Sequence, residues 1–117
     1  MERDTESPAA LSPNEFHVLL VLAAGPLYGY AIQKAVEAES SGSVKPEIGS
    51  LYRILARLMA EGCVAESAPP ADATPDGRGR PRHYYRITRP GKKILAAEVE
   101  RLRSAIAIAQ SRHLATD

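Results

Sequence analysis

Apolar residues return every third or fourth position in four stretches of this chain, and every second position in one short stretch. The first stretch opens at Ser12-Pro13-Asn14-Glu15, where serine can cap, proline suits a first turn and glutamate can complete a capping box. A helix is predicted from there to about Ala24, with Phe16, Leu19, Leu20 and Ala23 inward and Gly25-Pro26 as its stop. A second helix covers roughly Tyr28 to Ser40 and turns Ala31, Ile32, Ala35 and Val36 inward. Gly29 in its first turn leaves room for a neighbouring backbone. After the break Ser40-Ser41-Gly42-Ser43, a third helix runs from about Glu47 to Glu61 and ends at Gly62. Its buried stripe reads as Ile48, Leu51, Leu55, Leu58 and Met59, with Ser50, Arg53 and Arg57 opposite and Tyr52 flanking.

The period then changes. Cys63 to Ser67 reads as a short strand, and Arg82 to Thr88 as a clearer one in which Tyr85 and Ile87 alternate with Tyr84 and Arg86. Between them Ala68 to Pro81, rich in Pro, Asp, Ala and Gly, reads as a long hairpin tip. Thr88 caps a last helix, from about Arg89 to His113, with Pro90 tolerated in its first turn. Three short helices, a hairpin and a long final helix predict a mostly α fold of the α+β winged-helix kind. It comprises a three-helix helix-turn-helix core, a two-stranded wing hairpin and a long C-terminal helix. The expected division is a flexible N-terminal tail at 1–10, a winged helix-turn-helix domain at 11–88, and a dimerisation helix with its tail at 89–117.

Composition narrows the picture. The 117 residues suit one domain, and 44% of them are hydrophobic. With Phe16, five tyrosines and no tryptophan, the core must be built from Leu, Ile, Val and Ala. Cys63 is the one cysteine, so no intramolecular disulfide forms and a reducing compartment is the natural reading. No apolar run reaches the ~18 residues of a membrane span, and Met1 to Pro8 lacks the apolar region of a signal peptide. A cytoplasmic protein is expected. Net charge is +1, yet seven Lys or Arg and no Asp or Glu fall between Arg78 and Lys93. That local imbalance is an electrostatic footprint.

Reading DNA requires a helix that enters the major groove and cations that meet phosphates. The third helix offers Ser50, Tyr52, Arg53 and Arg57, and the hairpin tip offers Arg78, Arg80 and Arg82. An isolated arginine ordinarily just solvates a surface. Helix-turn-helix order together with an arginine-rich wing points to double-stranded DNA. On the last helix Leu95, Val99, Leu102, Ile106 and Ala109 follow a four-three alternation, the seam of a coiled coil. Folding back on its own subunit is one use of that stripe. A homodimer is the expected one, since two-fold operators require two-fold proteins. His17, His83 and His113 stand far apart with no carboxylate or cysteine at ligand spacing, so no metal is expected. Ser12, Ser50 and Ser67 have no base nearby in sequence, and there is no phosphate-cradling glycine loop. Neither cofactor nor catalysis is expected. Cys63 reads as a small buried residue, and Tyr28, Tyr30, Tyr84 and Tyr85 as packing residues or the lining of an effector pocket.

Three segments resemble one family. Gly25-Pro26-Leu27-Tyr28-Gly29-Tyr30-Ala31-Ile32 is similar to the second-helix signature of PadR-type regulators, in which a glycine-tyrosine pair opens the helix. Gly49-Ser50-Leu51-Tyr52-Arg53-Ile54-Leu55, followed by Arg57-Leu58 and Glu61-Gly62, resembles their recognition helix. Arg82-His83-Tyr84-Tyr85-Arg86-Ile87-Thr88 with Gly91 resembles the second wing strand and the cap of the last helix. The resemblance covers Leu11 to about Leu95. It implies a dimeric winged-helix transcriptional repressor, often responsive to a small aromatic or drug-like effector. The sequence departs from the family at Glu47, where a serine cap is common, and in the long proline-rich stretch Pro69 to Gly79. Its last helix also lacks the tryptophan that forms a drug-stacking site in some relatives. The rival reading is a winged helix used for protein–protein interaction, its wing arginines meeting an acidic partner.

Overall fold

The computed structural model of the chain describes residues 11–71 and 83–115. In chain order its elements are α1 (Pro13–Leu22), β1 (Leu27–Tyr28), α2 (Gly29–Glu39), α3 (Ile48–Ala60), β2 (Val64–Ser67), β3 (Tyr84–Ile87) and α4 (Arg89–Ser111). This is the winged-helix order expected from the sequence, with one strand added.

The cap of α1 forms as predicted. The Glu15 N–H donates to Ser12 Oγ at 3.1 Å, and the Ser12 N–H donates to Glu15 Oε1 at 3.0 Å. The buried face differs from the expected one. Val18, Leu19, Val21 and Leu22 are buried, Phe16 and Leu20 are half-buried, and Ala23 is exposed. The cause is the unbroken apolar run Val18 to Leu22, which offers no polar position to select a face. The helix packs on α2, α3, α4 and β3 at once, so it is covered around more than one stripe.

On α3 the stripe is Leu51, Ile54, Leu55 and Leu58, the i, i+3, i+4, i+7 set of an amphipathic helix. Ile48, expected in that stripe, is 43% exposed because it is the first helical residue and lies beyond the core's edge. Together with Ile32, Val36, Val64, Ile87 and Leu95 these side chains form one apolar core.

The sheet has three strands in the order β1-β3-β2, all antiparallel. Strand β1 was not foreseen, since two residues carry no period and Gly25-Pro26 reads as a helix stop. It pairs Leu27 with Tyr85 and Tyr28 with Tyr84. Its presence explains why Tyr84, on the face opposite Tyr85 and Ile87, is buried as well. The Tyr28 ring meets it edge-on at 5.5 Å between centroids.

The end of α3 and the start of α4 are fastened together. Gly62 takes φ +80°, a left-handed conformation that glycine adopts without strain. The Thr88 hydroxyl donates to the Gly62 carbonyl at 2.5 Å and accepts the Gly91 N–H at 3.1 Å, while the Thr88 N–H donates to the Cys63 carbonyl at 2.9 Å. Cys63 is buried there, and burial, reinforced by the charges of Glu61 and Glu15, pushes its thiol pKa up. A thiol held protonated is a poor nucleophile. Gly91 lies flat against this turn. A methyl group on it would overlap the Cys63 carbonyl oxygen and come within 2.9 Å of Ile87 Cγ1. Backbone cannot step aside as a flexible side chain does, so Gly91→Ala should cost about 2–3 kcal/mol. Thermal melts should place its Tm roughly 10 °C or more below that of the unaltered chain. A Tm within about 2 °C of wild type would show that this contact is looser than described.

Candidate nucleic-acid interface

Helix α3 has a core-facing stripe, so its opposite side is left to solvent. The turn that delivers it is held by side chains of α2 and the loop that follows. Gln33 Nε2 donates to the Pro46 carbonyl at 2.9 Å, and the Val44 N–H donates to Ser40 Oγ at 3.0 Å. Ser41 at φ +55° and Gly42 at φ +82° make the reversal between them. Glu47 caps α3 by backbone position only, without a side-chain hydrogen bond, consistent with the missing serine noted in the sequence.

The four expected reading residues of α3 fall into two groups. Arg53 is exposed, and its Nη2 donates to Ser50 Oγ at 3.0 Å, so this pair forms one polar unit on the open face. Tyr52 is 47% exposed, but its ring lies against the first turn of α2. A Cβ on Gly29 would overlap the Tyr52 hydroxyl and stand 2.8 Å from Cζ. The close approach expected at Gly29 is therefore real, and the neighbour is this ring rather than a backbone. Tyr52 also acts on Tyr85, whose phenol pKa is raised chiefly by burial, with Tyr52 and Glu66 adding to it. Arg57 points to α1. Its Nη1 is 3.0 Å from Glu15 Oε2, in a pair whose side chains are 62% and 11% exposed.

Glu15 is the residue that sequence reasoning read only in part. Its place in the capping box was visible from spacing. Its second role, tying α1 to α3 across a tertiary contact, has no signature along the chain. Arg78, Arg80 and Arg82 lie outside the described residues.

The expected seam on α4 divides. Leu95 is buried in its own subunit at 7% exposure, Val99, Leu102 and Ala109 are half-buried, and Ile106 is 53% exposed. Val99, Leu102 and Ile106 border a groove of about 410 Å³ whose other wall includes Phe16 of α1. Glu98, unremarked in the sequence, is buried on the inner side of α4. Arg101 grips both its oxygens, at 3.1 and 2.5 Å. That hydrogen bonding holds the Glu98 carboxyl pKa below its usual range, against the opposing effect of burial. Among the described residues no group of three or more His, Cys, Asp or Glu is placed to hold a metal, and no helix is long and apolar enough to cross a membrane.

The two arginines of α3 should separate in stability. Arg57→Ala leaves the Glu15 carboxylate short of a partner and should cost about 1–2 kcal/mol, below the penalty of a fully buried pair because water reaches the Arg57 side. Arg53→Ala removes an exposed contact and should stay within about 0.5 kcal/mol of wild type in urea unfolding. Equal effects would mean that Glu15 does not hold Arg57 in solution.

Comparison with known proteins agrees with this architecture. Residues 18–97 match the model of the transcriptional regulator PadR-like family. An uncharacterized 37.1 kDa protein in transposon TN4556 of Streptomyces fradiae is 40% identical over 81 residues. That match spans 69% of this chain and 20% of the relative, so the chain corresponds to about a fifth of that protein's length. A transcriptional regulator from Clostridium thermocellum superposes with a TM-score of 0.65 at 23% identity, covering 84% of this chain and 87% of the other. A PadR family transcription regulator from Clostridium difficile gives 0.69 at 19%, covering 86% and 97%. Bacillus subtilis PadR, in a complex with operator DNA, gives 0.59 at 21%, covering 73% and 45%. With the family model matched over most of its length, the chain belongs to the PadR-like family of transcriptional regulators.

Proposed function

We propose that this chain is a sequence-specific DNA-binding repressor that occupies a two-fold operator as a homodimer and catalyses no reaction. The observation that carries the reading is the open face of α3, where Ser50 and Arg53 form a polar unit on a helix whose other side is locked into the core. A guanidinium and a hydroxyl on a solvent-facing helix are the groups that bond base edges and phosphate oxygens. Tyr52 and Arg57 flank this unit. The segment joining β2 to β3 supplies Arg78, Arg80 and Arg82 as phosphate contacts. The solved complex of Bacillus subtilis PadR with operator DNA supports the same use of the fold. Two copies of α3 would sit in successive major grooves and exclude polymerase, in the cytoplasm where the DNA lies. A small-molecule effector that releases the operator belongs to this reading as its regulatory arm.

Binding to duplexes should depend steeply on salt, since each phosphate neutralised releases counterions. Replacing Arg78, Arg80 and Arg82 together by alanine should lower affinity for all sequences alike and flatten the log–log salt slope by up to about three units. A slope that stays unchanged, with affinity intact, removes the wing from the interface. Absence of any duplex binding by the unaltered chain favours the rival interaction module.

The dimer rests on α4, which reaches past the domain it caps. Ile106 stands exposed and the groove it shares with Phe16 is open along one side. Leu102→Glu at the centre of that surface would bury an unpaired carboxylate twice in a two-fold interface, costing several kcal/mol at each. Separation is the easier outcome, because the apolar core of Leu19, Ile32, Leu51 and Leu55 lies within one chain. Sedimentation should show the variant as a folded monomer that contacts one half-site weakly, since linked half-sites multiply their affinities. A variant that stays dimeric, or a wild type that is monomeric throughout, defeats the two-fold reading.

A further inference from the structure

We infer that Glu15 of α1 is a positioning residue for α3, holding Arg57 away from the DNA so that the helix keeps one rotation about its own axis; this inference rests on the DNA-binding reading above. By spacing, Ser50, Arg53 and Arg57 share one stripe of α3, three and four residues apart. A third member of a phosphate-binding stripe would reach outward beside Arg53. The Arg57 guanidinium instead turns back to α1, with Nη1 3.0 Å from Glu15 Oε2.

Burial decides where Arg57 stays when DNA arrives. The Glu15 side chain is 11% exposed and the Arg57 side chain 62%. Glu15 Oε1 accepts the Ser12 N–H at 3.0 Å, which leaves Oε2 for Arg57. A phosphate would meet Arg57 in water, where an ion pair gains little and salt screens it. Taking the guanidinium from a carboxylate that is mostly out of water costs more than that contact returns. The anchor is itself fixed. Leu11 packs on the core, and hydrogen bonds from Arg101 and, more weakly, the Leu11 N–H lower the pKa of the Glu98 carboxyl on α4. The start of α1 is thereby tied to a second helix.

What the pair controls is roll. The turn at Gly62 and Thr88 fixes where α3 ends, and Tyr52 against Gly29 fixes its distance from α2. The Arg57–Glu15 pair adds a directional polar tie on the α1 side. A roll of about 20° moves a group ~6 Å from the helix axis by about 2 Å. A hydrogen bond to a base edge fails within a few tenths of an ångström, whereas long cationic side chains follow a phosphate through such a shift. Losing the pair therefore costs sequence discrimination and leaves general attraction to DNA intact.

The test uses the full chain and two probes, the duplex that wild type selects from a randomised pool and a scrambled duplex of equal length. Binding is measured at a temperature where urea unfolding shows every variant folded. Glu15→Gln keeps an oxygen for the Ser12 N–H and so preserves the cap. Arg57→Ala and Glu15→Gln should each weaken binding to the selected duplex about five- to tenfold. Affinity for the scrambled duplex, and the log–log salt slope on both, should not change. The double variant should lose no more than the worse single one, the mark of two groups acting together. Arg57→Lys should recover most of the loss, since an ammonium can make this single contact. A phosphate contact predicts the opposite pattern. Arg57→Ala would then weaken both duplexes alike and flatten the slope by about one, while Glu15→Gln would free the guanidinium and tighten binding. That pattern overturns the inference, and so do additive losses, a lysine variant as weak as the alanine one, or selected-duplex binding that neither single variant changes. A wild type that selects no duplex from the pool fails at an earlier step and removes the DNA reading itself.

Discussion

The turn in which Gly62, Cys63, Thr88 and Gly91 meet is the constraint on which the rest of the structure depends. The chain leaves α3, makes one strand, returns along another and must begin α4 where it left α3. Thr88 closes that circuit with three hydrogen bonds, two to the carbonyls of residues 62 and 63 and one from the Gly91 N–H. Gly91 completes it by lacking a side chain against the Cys63 carbonyl. Because every group that Thr88 meets here is backbone, the closure leaves little slack. The root of the hairpin, the end of α3 and the direction of α4 are fixed by one small cluster. Under the proposed two-fold reading, two helices presented to two grooves at set spacing would depend on that stiffness more than on any single contact.

Fixing α3 at one end is not sufficient, and two further ties act along its length. Tyr52 lies against Gly29, setting how closely α2 approaches, and Arg57 reaches across to Glu15 of α1. Both residues look like surface groups in the sequence, and both have tertiary partners. Arg57 shares its charge with a carboxylate, so its contribution to the field of α3 is reduced, while Arg53 bonds to the uncharged Ser50. For a chain whose net charge is +1, such local pairing decides where positive potential remains.

How much of this was legible in the sequence follows from what leaves a periodic or local mark. The Ser12 capping box, the Gly62 terminator and the Thr88 cap are local devices, legible because their signals lie within a few residues, and the strand at Tyr84–Ile87 was legible from its period of two. The buried face of α1 was misread because Val18 to Leu22 is apolar throughout, and the two-residue β1 has no period to detect. Ile48 was assigned to the core by spacing alone, yet position one of a helix lies past the side chains it would pack on. In the candidate interface, residue types and helix face were readable. The pairings Arg57–Glu15 and Tyr52–Gly29 were not, since only the packing of α1 and α2 on α3 creates them.

The two halves of α4 answer to different requirements, and their chemistry changes accordingly. From Gly91 to Glu98 every inward position is filled by the domain's own structure. Leu95 enters the core, and Glu98 is buried with both oxygens taken by Arg101. A carboxylate in that position is tolerable only when so held, and Leu95, packed into the core, gives the proximal half one fixed rotation. Beyond Leu102 the winged domain runs out. The Ala105-Ile106-Ala107-Ile108-Ala109 run then leaves both isoleucines more than half exposed. Small and branched apolar residues on an uncovered helix do not stabilise an isolated chain, because water still surrounds them. Their stabilising effect appears only when a second apolar surface excludes that water. The rotation fixed by Leu95 in the core decides which of them that surface would meet.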